Sequence, residues 1–304
     1  MKTRDSTELY CGRFAPSPTG PLHFGSLVAA VASYLDARSH GGRWLVRMED
    51  LDKPREQPGA ADGILRTLES FALHWDGSVI FQSERTELYQ SALQRLRAAG
   101  HSFACGCTRR EIADSALHGR DGPIYPGTCR AGIASGLPGR TERVRVEAKP
   151  ILFQDRLQQR FSQNLATEVG DFVVYRTDGV AAYQLAVVVD DAEQGVTDVV
   201  RGGDLLFSAP RQIYLQRLLG YPTPSYLHLP VAVNSAGEKL SKQTFATAVD
   251  DLPQREVAHA VLEFLGQPLP EAASFSCLDE LWSQASAAWD PRRIPQMQVR
   301  GSRF

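Results

Sequence analysis

The sequence has 304 residues, enough for one large domain or two modest ones with a real hydrophobic core. Its 33 lysines and arginines nearly balance its 35 aspartates and glutamates, so an overall basic coat for nucleic acid is excluded, although a local basic surface is not. No apolar run approaches the roughly 20 residues of a membrane span, and the polar N-terminus does not resemble a signal peptide. Five cysteines, an odd number, argue against a secreted disulfide framework, and we expect a cytoplasmic protein.

The first fifty residues predict a β-α-β unit. A short apolar strand over 9–14 leads into a loop at 15–20 whose prolines and glycine cannot continue either element. The helix that follows over 24–37 carries its leucines and valines on one face, and an apolar strand covers 44–48. Such a unit has the size that two adjacent parallel strands require.

The rest of the sequence continues with mixed helical and strand patterns. Predicted helices cover 64–71, 84–99 and 209–219, with Ser83 as N-cap of the second. Predicted strands cover 143–147, 172–176, 196–201 and 226–233, and the last fifty residues look helical. Residues 105–140 are rich in Gly, Pro, Cys and Arg and indicate an insertion. We therefore predict an α/β fold, a doubly wound parallel, Rossmann-type nucleotide-binding sheet split by an inserted module and followed by a short helical C-terminal region.

Two loops have the composition of phosphate-binding sites. The first, 16–25 (PSPTGPLHFG), joins the first strand to the first helix, where a helix N-terminus favours phosphate. There Gly25 would let an adenine ring approach closely, and His23 could donate to a phosphate oxygen. The second, 238–243 (EKLSKQ), puts two lysines around a serine. Alone, the first loop could equally be a proline-rich turn with an ordinary surface histidine, and the second, taken by itself, is better explained as a solvated polar loop.

Together, the motifs resemble the class I aminoacyl-tRNA synthetases. Residues 12–26 (GRFAPSPTGPLHFGS) resemble the HIGH signature in its glutamyl/glutaminyl form, and 239–243 (KLSKQ) resemble the KMSKS signature. Three further segments match the glutamyl branch, namely 44–52, 182–191 and 200–205. The sequence departs from the HIGH pattern at its last position, which is Ser26 instead of histidine, so we expect Ser26 to contribute less.

The resemblance extends to a short paralogous family, the glutamyl-Q tRNA(Asp) synthetases. Glutamyl-tRNA synthetases continue into an anticodon-binding domain, whereas this sequence stops about sixty residues after KLSKQ. We expect a first catalytic half at 1–104, an inserted zinc/acceptor-type module at 105–190, a second half with the KLSKQ loop at 191–250, a helical region at 251–304, and no anticodon-binding domain.

The resemblance implies ATP-dependent activation of L-glutamate to glutamyl-adenylate. The glutamate then moves to the queuosine base in the anticodon of tRNA(Asp). The implied partners are ATP with Mg²⁺, glutamate and this tRNA; we expect a monomer with no membrane partner. Two alternatives remain open: a truncated glutamyl-tRNA synthetase that charges a tRNA 3′ end, and a non-catalytic regulator that binds ATP or RNA.

The resemblance also assigns site residues. His23 and Lys242 would stabilise charge on the α-phosphate, and the ATP-binding set is His23, Gly25, Lys239, Ser241 and Lys242. The glutamate-binding set is Arg13, Ala15, Ser17, Glu49, Tyr183 and Arg201. Arg13 is expected at the side-chain carboxylate, Arg201 at the α-carboxylate and Glu49 at the ammonium group, because arginine meets a carboxylate with two bonds. The alternative for Glu49 and Arg201 is an ordinary ion pair.

Three cysteines, Cys105, Cys107 and Cys129, predict a structural zinc site that lacks one ligand. In the resembling family the fourth ligand is a tyrosine, here Tyr125. Other residues could replace it, namely His101, His118 or Asp121. The alternative is three thiols without a metal. A metal would substitute for the apolar core that this segment lacks.

Two groups of arginines could meet tRNA phosphates, although both could also be solvated surface. The first decorates the insertion and the strand after it: Arg109, Arg110, Arg120, Arg130, Arg140, Arg143 and Arg145. The second lies near the C-terminus: Arg292, Arg293, Arg300 and Arg303.

Overall fold

The computed structural model describes residues 9–114, 117–119, 122–134, 138–234, 237–238, 240, 247–269, 275–296 and 299–302. In these ranges, no helix combines the length and the apolar character that crossing a membrane requires. The strands are β1 Cys11–Phe14, β2 Arg43–Met48, β3 Ile80–Phe81, β4 Ser102–Cys105, β5 His118–Gly119, β6 Gly122–Pro123, β7 Thr141–Val144, β8 Ile151–Asp155, β9 Gln159–Gln163, β10 Val173–Tyr175, β11 Asp198–Gly202, β12 Ser225–Leu229, β13 Val231–Val233 and β14 Val299–Gly301. The helices are α1 Phe24–Ser39, α2 Ala60–Ser70, α3 Thr86–Ala98, α4 Arg109–Asp114, α5 Leu165–Glu168, α6 Tyr183–Glu193, α7 Ala209–Leu219, α8 Gln254–Phe264 and α9 Leu278–Ala287.

The predicted β-α-β unit forms. β1 and β2 pair in parallel, with Arg13 opposite Leu45, and β2 pairs in parallel with β3. The helix α1 covers this sheet with a face of fully buried leucine, valine and alanine side chains. The indole of Trp44 on β2 donates a 2.9 Å hydrogen bond to Ser33 of α1, which fixes the helix on the sheet.

A second set of strands lies beside the first. β11 and β12 pair in parallel, with Arg201 opposite His228, and β12 continues to the β8–β9 hairpin. The Thr197 amide just before β11 donates to the Cys11 carbonyl of β1 at 2.9 Å. The starts of β1 and β11 are therefore neighbours, and their carboxyl ends meet at one edge, where α/β folds bind ligands.

An antiparallel sheet in the order β10-β7-β4 is formed by strands that come after β3 and before β11 in the sequence. It carries the cysteine-rich segment, which follows β4. The β8–β9 hairpin lies within the predicted insertion but pairs with β12 of the parallel set, through Tyr226 opposite Asp155. The predicted domain boundaries themselves stay a prediction.

The C-terminal region is helical as expected but ends in a strand. After α8 and α9, β14 pairs in parallel with β13, with Arg300 opposite Ala232. The indole of Trp282 in α9 donates to the Phe71 carbonyl at 2.6 Å, and that of Trp289 donates to Asp36 of α1 at 2.9 Å. These two hydrogen bonds hold the C-terminal region against α1 and the end of α2.

One predicted cap is wrong. Ser83 is not the N-cap of α3, because Arg85 occupies that position without a side-chain capping bond. Ser83 instead gives its amide and hydroxyl to the carboxylate of Asp50, at 2.8 and 2.5 Å. A buried carboxylate competes more strongly for these donors than a helix end does.

Candidate active site

A cleft of about 750 Å³ opens at the carboxyl ends of β1, β2 and β11. It brings together residues that lie almost 230 positions apart in the sequence, from Arg13 to Leu240. The predicted site residues that line it are Arg13, Ala15, Ser17, His23, Gly25, Glu49, Tyr183 and Arg201. Ser26 and Asp204 also line it.

His23 stands at the N-terminus of α1 and is fixed by Ser26. The Ser26 amide donates to His23 Nδ1 at 3.2 Å, and the Ser26 hydroxyl lies 3.0 Å from Nε2. With Nδ1 accepting, the proton belongs on Nε2. A Cβ on Gly25 would lie 3.3 Å from this imidazole and 3.5 Å from Ala232. A glycine, which has no side chain, therefore leaves room for the imidazole in this position. The half-buried ring lines the cleft at the N-terminus of α1, where the helix dipole favours an anion.

Behind the cleft, a buried network holds Arg13 and Glu49. The Asp191 carboxylate lies 3.2 Å from Arg13 Nε and 2.9 Å from Arg47 Nη1. Arg47 also lies 3.4 Å from Glu49, and its side chain is fully buried. Burial opposes the charge of Asp191, but Arg13 and Arg47 outweigh it and lower the pKa of this carboxyl group.

Glu49 differs from Asp191 in this network. Burial raises the pKa of Glu49, although Arg47 and Arg13 favour its charged form. Its carboxylate is therefore incompletely compensated, and it faces the cleft. A carboxylate in that state is suited to a cation that enters from the cleft, such as an ammonium group.

Arg201, at the opposite wall, is held by neutral groups. Its Nε donates to His228 Nε2 at 3.0 Å, and its Nη2 donates to the Leu205 carbonyl at 3.3 Å. Its Nη1 is buried and has no hydrogen-bond partner. In the described part of the chain, no carboxylate lies within 4.0 Å of this guanidinium, so its charge is open to an incoming anion.

Tyr183, the first residue of α6, lies between these groups. Burial raises the pKa of its hydroxyl, and the charge of Glu49 adds to the effect. The phenol therefore stays protonated and can donate a hydrogen bond. Ala15 and Ser17 reach the cleft from the proline-rich loop after β1.

The KLSKQ segment falls mostly outside the described residues: Lys239, Ser241 and Lys242 do not belong to them. Leu240 inside the segment and Ala248 after it do belong to them. Leu240 is buried, donates its amide to the Ala232 carbonyl at 2.9 Å and lines the cleft. Ala248 forms an antiparallel bridge with His23. Both residues thus lie next to the first phosphate-binding loop.

A family model described as tRNA synthetases class I (E and Q), catalytic domain, matches residues 11–265. The chain belongs to this family. It is therefore an enzyme of the aminoacyl-tRNA synthetase type, a ligase.

Curated relatives and solved structures agree with this membership. The synthetase is 58% identical over 293 residues to the glutamyl-Q tRNA(Asp) synthetase of Aromatoleum aromaticum, with 96% of this chain and 92% of the relative covered. It is 57% identical over 290 residues to that of Chromobacterium violaceum, with 95% and 97% covered. The glutamate-tRNA synthetase from Elizabethkingia anophelis has the same fold, with a TM-score of 0.80 at 24% identity over 97% of this chain and 68% of that one.

The three cysteines of the synthetase's cysteine-rich segment do converge. The sulfur atoms of Cys105, Cys107 and Cys129 all lie within 4.8 Å of one another, and those of Cys107 and Cys129 are 3.6 Å apart. Four ligands at the usual zinc–sulfur distance of about 2.3 Å would be roughly 3.8 Å apart, so the spacing fits a tetrahedral ion. Tyr125 Oη lies 3.4 Å from the Cys105 sulfur and 3.9 Å from that of Cys107.

The alternatives to Tyr125 are less well placed. Within the described ranges, no histidine or carboxylate joins the cysteine cluster, which leaves out His101 and His118; Asp121 is not in those ranges. Burial raises the pKa of the Cys105 thiol, but hydrogen bonds from Tyr125 and Arg143 outweigh this and bring it to about 7. The Arg143 guanidinium also stacks 4.0 Å above the Tyr125 ring. Burial and a hydrogen bond with Cys129 raise the pKa of Cys107 to about 11, so the surroundings favour the thiolate at Cys105 and oppose it at Cys107.

The arginines fall into bound and unbound groups. Arg130 pairs with Asp171 at 3.1 Å, and Arg292 pairs with Asp290 at 2.8 Å. Arg109 and Arg140 are exposed, and in the described ranges neither has a carboxylate within 4 Å. Both line a groove of about 520 Å³ between the cysteine-rich segment and the start of α6. Arg120 and Arg303 lie outside the described residues.

The sequence patterns do not single out four residues that support the cleft: Arg47, Asp155, Asp191 and His228. Arg47 and Asp191 lie inside segments that match the glutamyl branch, so a signal existed for them. Asp155 and His228 lie outside every motif, and only the pairing of β11, β12 and β8 brings them to Arg201.

Proposed function

We propose that this synthetase activates L-glutamate with ATP. The α-carboxylate of glutamate attacks the α-phosphorus, the bond to the β-phosphate breaks, and pyrophosphate leaves, so that glutamyl-adenylate remains. The observation that carries the proposal is the charge pattern of the cleft: a buried Arg201 with an unpartnered N–H faces an undercompensated Glu49. A substrate with carboxylates and an ammonium group complements both.

The roles we propose for the single residues are those that the family resemblance implies. Arg201 takes the α-carboxylate, Arg13 the side-chain carboxylate and Glu49 the ammonium group, while Tyr183 donates a hydrogen bond. The backbone at Ala15 and Ser17 completes the pocket. Glutamine would leave a buried arginine facing a neutral amide, so the pocket should reject it.

His23 and Lys242 supply positive or donor groups to the transferring phosphate. Gly25, Lys239 and Ser241 complete the ATP site, and Mg²⁺ enters with ATP. No covalent nucleophile is needed, because positioning and charge stabilisation account for this kind of phosphorus chemistry. The contacts of Leu240, inside the KLSKQ segment, and of Ala248, after it, support a role of this segment beside His23.

For the second step, we propose transfer to the queuosine base of tRNA(Asp). The names of relatives that are 53% to 58% identical over nearly their whole length support this acceptor. The exposed groove with Arg109 and Arg140 supports an RNA surface on the cysteine-rich segment. We propose a structural zinc ion on Cys105, Cys107, Cys129 and Tyr125, supported by the convergence of three sulfur atoms.

Two assays test the proposal. In the first, glutamate-dependent exchange of labelled pyrophosphate into ATP is measured with and without tRNA. Glutamine is the control, and Lys242→Ala should abolish exchange.

In the second assay, labelled glutamate is offered with three tRNA(Asp) preparations: complete, lacking queuosine, or lacking the 3′-terminal adenosine. Labelling that requires queuosine and tolerates loss of the 3′ adenosine supports the proposed acceptor. The reverse pattern would instead support a glutamyl-tRNA synthetase that charges the 3′ end, and binding without exchange would support a regulator.

A further inference from the structure

Behind Arg201, three residues form a hydrogen-bonded line that crosses three neighbouring strands. Arg201 on β11 stands opposite His228 on β12, and Arg201 Nε donates to His228 Nε2 at 3.0 Å. On the other side of the ring, His228 Nδ1 donates to Asp155 Oδ2 at the end of β8, at 2.6 Å. All three side chains are buried, and only Arg201 reaches the cleft.

The direction of each hydrogen bond is fixed by its neighbours. A guanidinium can only donate, so His228 Nε2 must accept and the ring must carry its proton on Nδ1. Asp155 is itself held, because its Oδ1 accepts the amides of Leu157 and Gln158 at 2.9 and 2.8 Å. His228 is therefore a neutral ring in a single tautomer. Its stacking on Tyr226, at 5.8 Å between ring centroids, holds the ring plane.

A neutral acceptor has a consequence that a carboxylate would not have. Arg13 shares its charge with Asp191 at 3.2 Å, whereas Arg201 is oriented without an acidic partner. The neutral ring keeps the ionised Asp155 away from the guanidinium, which therefore loses less of its attraction for an anion than it would to a direct carboxylate partner. Arg201 Nη1 is left without a partner, whereas Nη2 keeps its hydrogen bond to the Leu205 carbonyl.

We propose that His228 and Asp155 are positioning residues for the amino acid substrate, which aim the guanidinium of Arg201 at the α-carboxylate of glutamate. This inference rests on the proposed activation of glutamate. Neither residue touches substrate or ATP; both act through Arg201.

Asp155→Asn provides an isosteric test. The two backbone amides keep the asparagine oxygen on their side, so its NH₂ faces His228 Nδ1. The His228 ring must then accept at Nδ1 and carry its proton on Nε2. Two N–H groups, those of His228 Nε2 and Arg201 Nε, would then face each other, and their hydrogen bond would be lost. In the same way, replacing the aspartate of a Ser-His-Asp triad by asparagine puts the histidine into the wrong tautomer. We expect the KM for glutamate in pyrophosphate exchange to rise at least tenfold, with the KM for ATP within twofold.

Substitutions of His228 give loss and rescue. His228→Leu removes the acceptor and should raise the glutamate KM at least as much as Asp155→Asn. His228→Gln offers an amide oxygen to Arg201 and an NH₂ to Asp155, and should stay within about threefold of wild type. The matched control is Asp36→Asn, a buried carboxylate that binds Arg156 and Trp289 away from the cleft. It should lower the melting temperature without changing the glutamate KM.

A substrate analogue separates positioning from general damage. In 4-amino-5-hydroxypentanoate the α-carboxylate of glutamate is reduced to an alcohol, while the side-chain carboxylate remains. Its inhibition constant should be the same within twofold for wild type and Asp155→Asn. Equal weakening of glutamate and analogue, an unchanged glutamate KM, or a parallel rise of the ATP KM would overturn the inference. Wild-type protein without any glutamate-dependent exchange would instead overturn the proposed function itself.

Discussion

The guanidinium of Arg47 lies 2.9 Å from the carboxylate of Asp191, beneath the floor of the cleft, and neither side chain is exposed by more than 6%. Asp191 also holds Arg13, and Arg47 also approaches Glu49. One buried pair thus supports two of the proposed glutamate-binding residues, Arg13 on β1 and Glu49 just after β2. Breaking such a pair is costly, because the remaining partner keeps an uncompensated buried charge.

We predict that Asp191→Asn lowers the free energy of unfolding by about 3–5 kcal/mol, since both arginines lose their carboxylate. Urea unfolding at pH 7 measures the loss. The control is Asp114→Asn, because the pair of Asp114 with Arg110 is 3.8 Å apart and mostly exposed. The control should be indistinguishable from wild type. A change in Asp191→Asn as small as in the control would contradict a supporting role for the buried pair.

The stability of the protein should fall in a defined acid range because of His228. Burial and the charge of Arg201 lower the pKa of this ring to about 4, although Asp155 and Asp204 act in the opposite direction. The unfolded chain binds the proton near pH 6.5, so between pH 6.5 and 4 it takes up more protons than the folded one. Acid therefore destabilises the fold in this window, by on the order of 3 kcal/mol at its lower end.

Urea unfolding at several pH values between 7 and 4 tests this slope. His228→Gln has no group that titrates there and should have a flatter profile than wild type. Asp155 contributes in a different pH window. Burial opposes its charge, but His228 and two backbone amides outweigh burial and lower the pKa of this carboxyl group below its usual value. The stability that Asp155 contributes is therefore lost only at lower pH. Identical slopes for wild type and His228→Gln between pH 6.5 and 4 would show that other groups cause the acid sensitivity.

The local parts of the fold and site were predictable from the sequence. The β-α-β unit depends on apolar periodicity and on a loop that neither helix nor strand can contain, and both are visible in residues 9–48. The helix α7 ends at Gly220, whose φ of 68° suits glycine, as its position in the sequence indicates. The family motifs named cleft residues because Arg13 and Arg201 lie on β1 and β11, Glu49 just after β2, and Tyr183 at the start of α6, all at the same edge of the sheet.

Non-local contacts were not predictable in this way. β14 is three residues long and has no pattern of its own, and it forms because β13 offers an edge. Ser83 looks like an N-cap until Asp50, 33 positions earlier, is placed beside it. Asp155 and His228 are 73 positions apart, and nothing in either neighbourhood indicates their contact. Registers between strands decide these pairs, and a single sequence does not reveal them.

Gly25 should separate activity from stability. In Gly25→Ala the new Cβ meets the His23 ring at 3.3 Å and Ala232 at 3.5 Å, so the ring must shift or turn. We predict that kcat/KM for ATP in pyrophosphate exchange falls at least tenfold, with no loss of melting temperature. The control is Gly63→Ala in α2, where a Cβ would meet only the end of Arg66, at 3.9 Å. It should keep full activity and gain about 0.5–1 kcal/mol of stability. Full activity in Gly25→Ala would refute the steric role.

The cysteine cluster should bind one zinc ion per chain. Cys129→Ser should lose the metal measured by elemental analysis after dialysis and should unfold locally at the cysteine-rich segment, seen as faster amide exchange. Cys277→Ser is the control, because Cys277 is exposed and lies outside the cluster.

Tyr125→Phe tests the fourth ligand, because it keeps the ring beneath Arg143 but removes Oη. We expect weaker zinc binding in Tyr125→Phe; unchanged affinity would exclude Tyr125 as a ligand. Wild-type protein purified without zinc, and unable to take it up, would contradict the site altogether.

The two arginine groups should differ in their effect on tRNA. Arg109 and Arg140 line an open groove with no carboxylate within 4 Å in the described ranges, whereas Arg292 and Arg293 are both close to Asp290, which reduces their attraction for phosphate. Replacing Arg109 and Arg140 together by alanine should raise the KM for tRNA in the transfer assay at least tenfold. It should also reduce the salt dependence of tRNA binding, because fewer counterions are released, and leave glutamate-dependent pyrophosphate exchange unchanged.

The double substitution of Arg292 and Arg293 by alanine is the matched control and should change the tRNA KM by less than about twofold. If the control weakens tRNA binding and the groove variant does not, the RNA surface belongs to the C-terminal region instead.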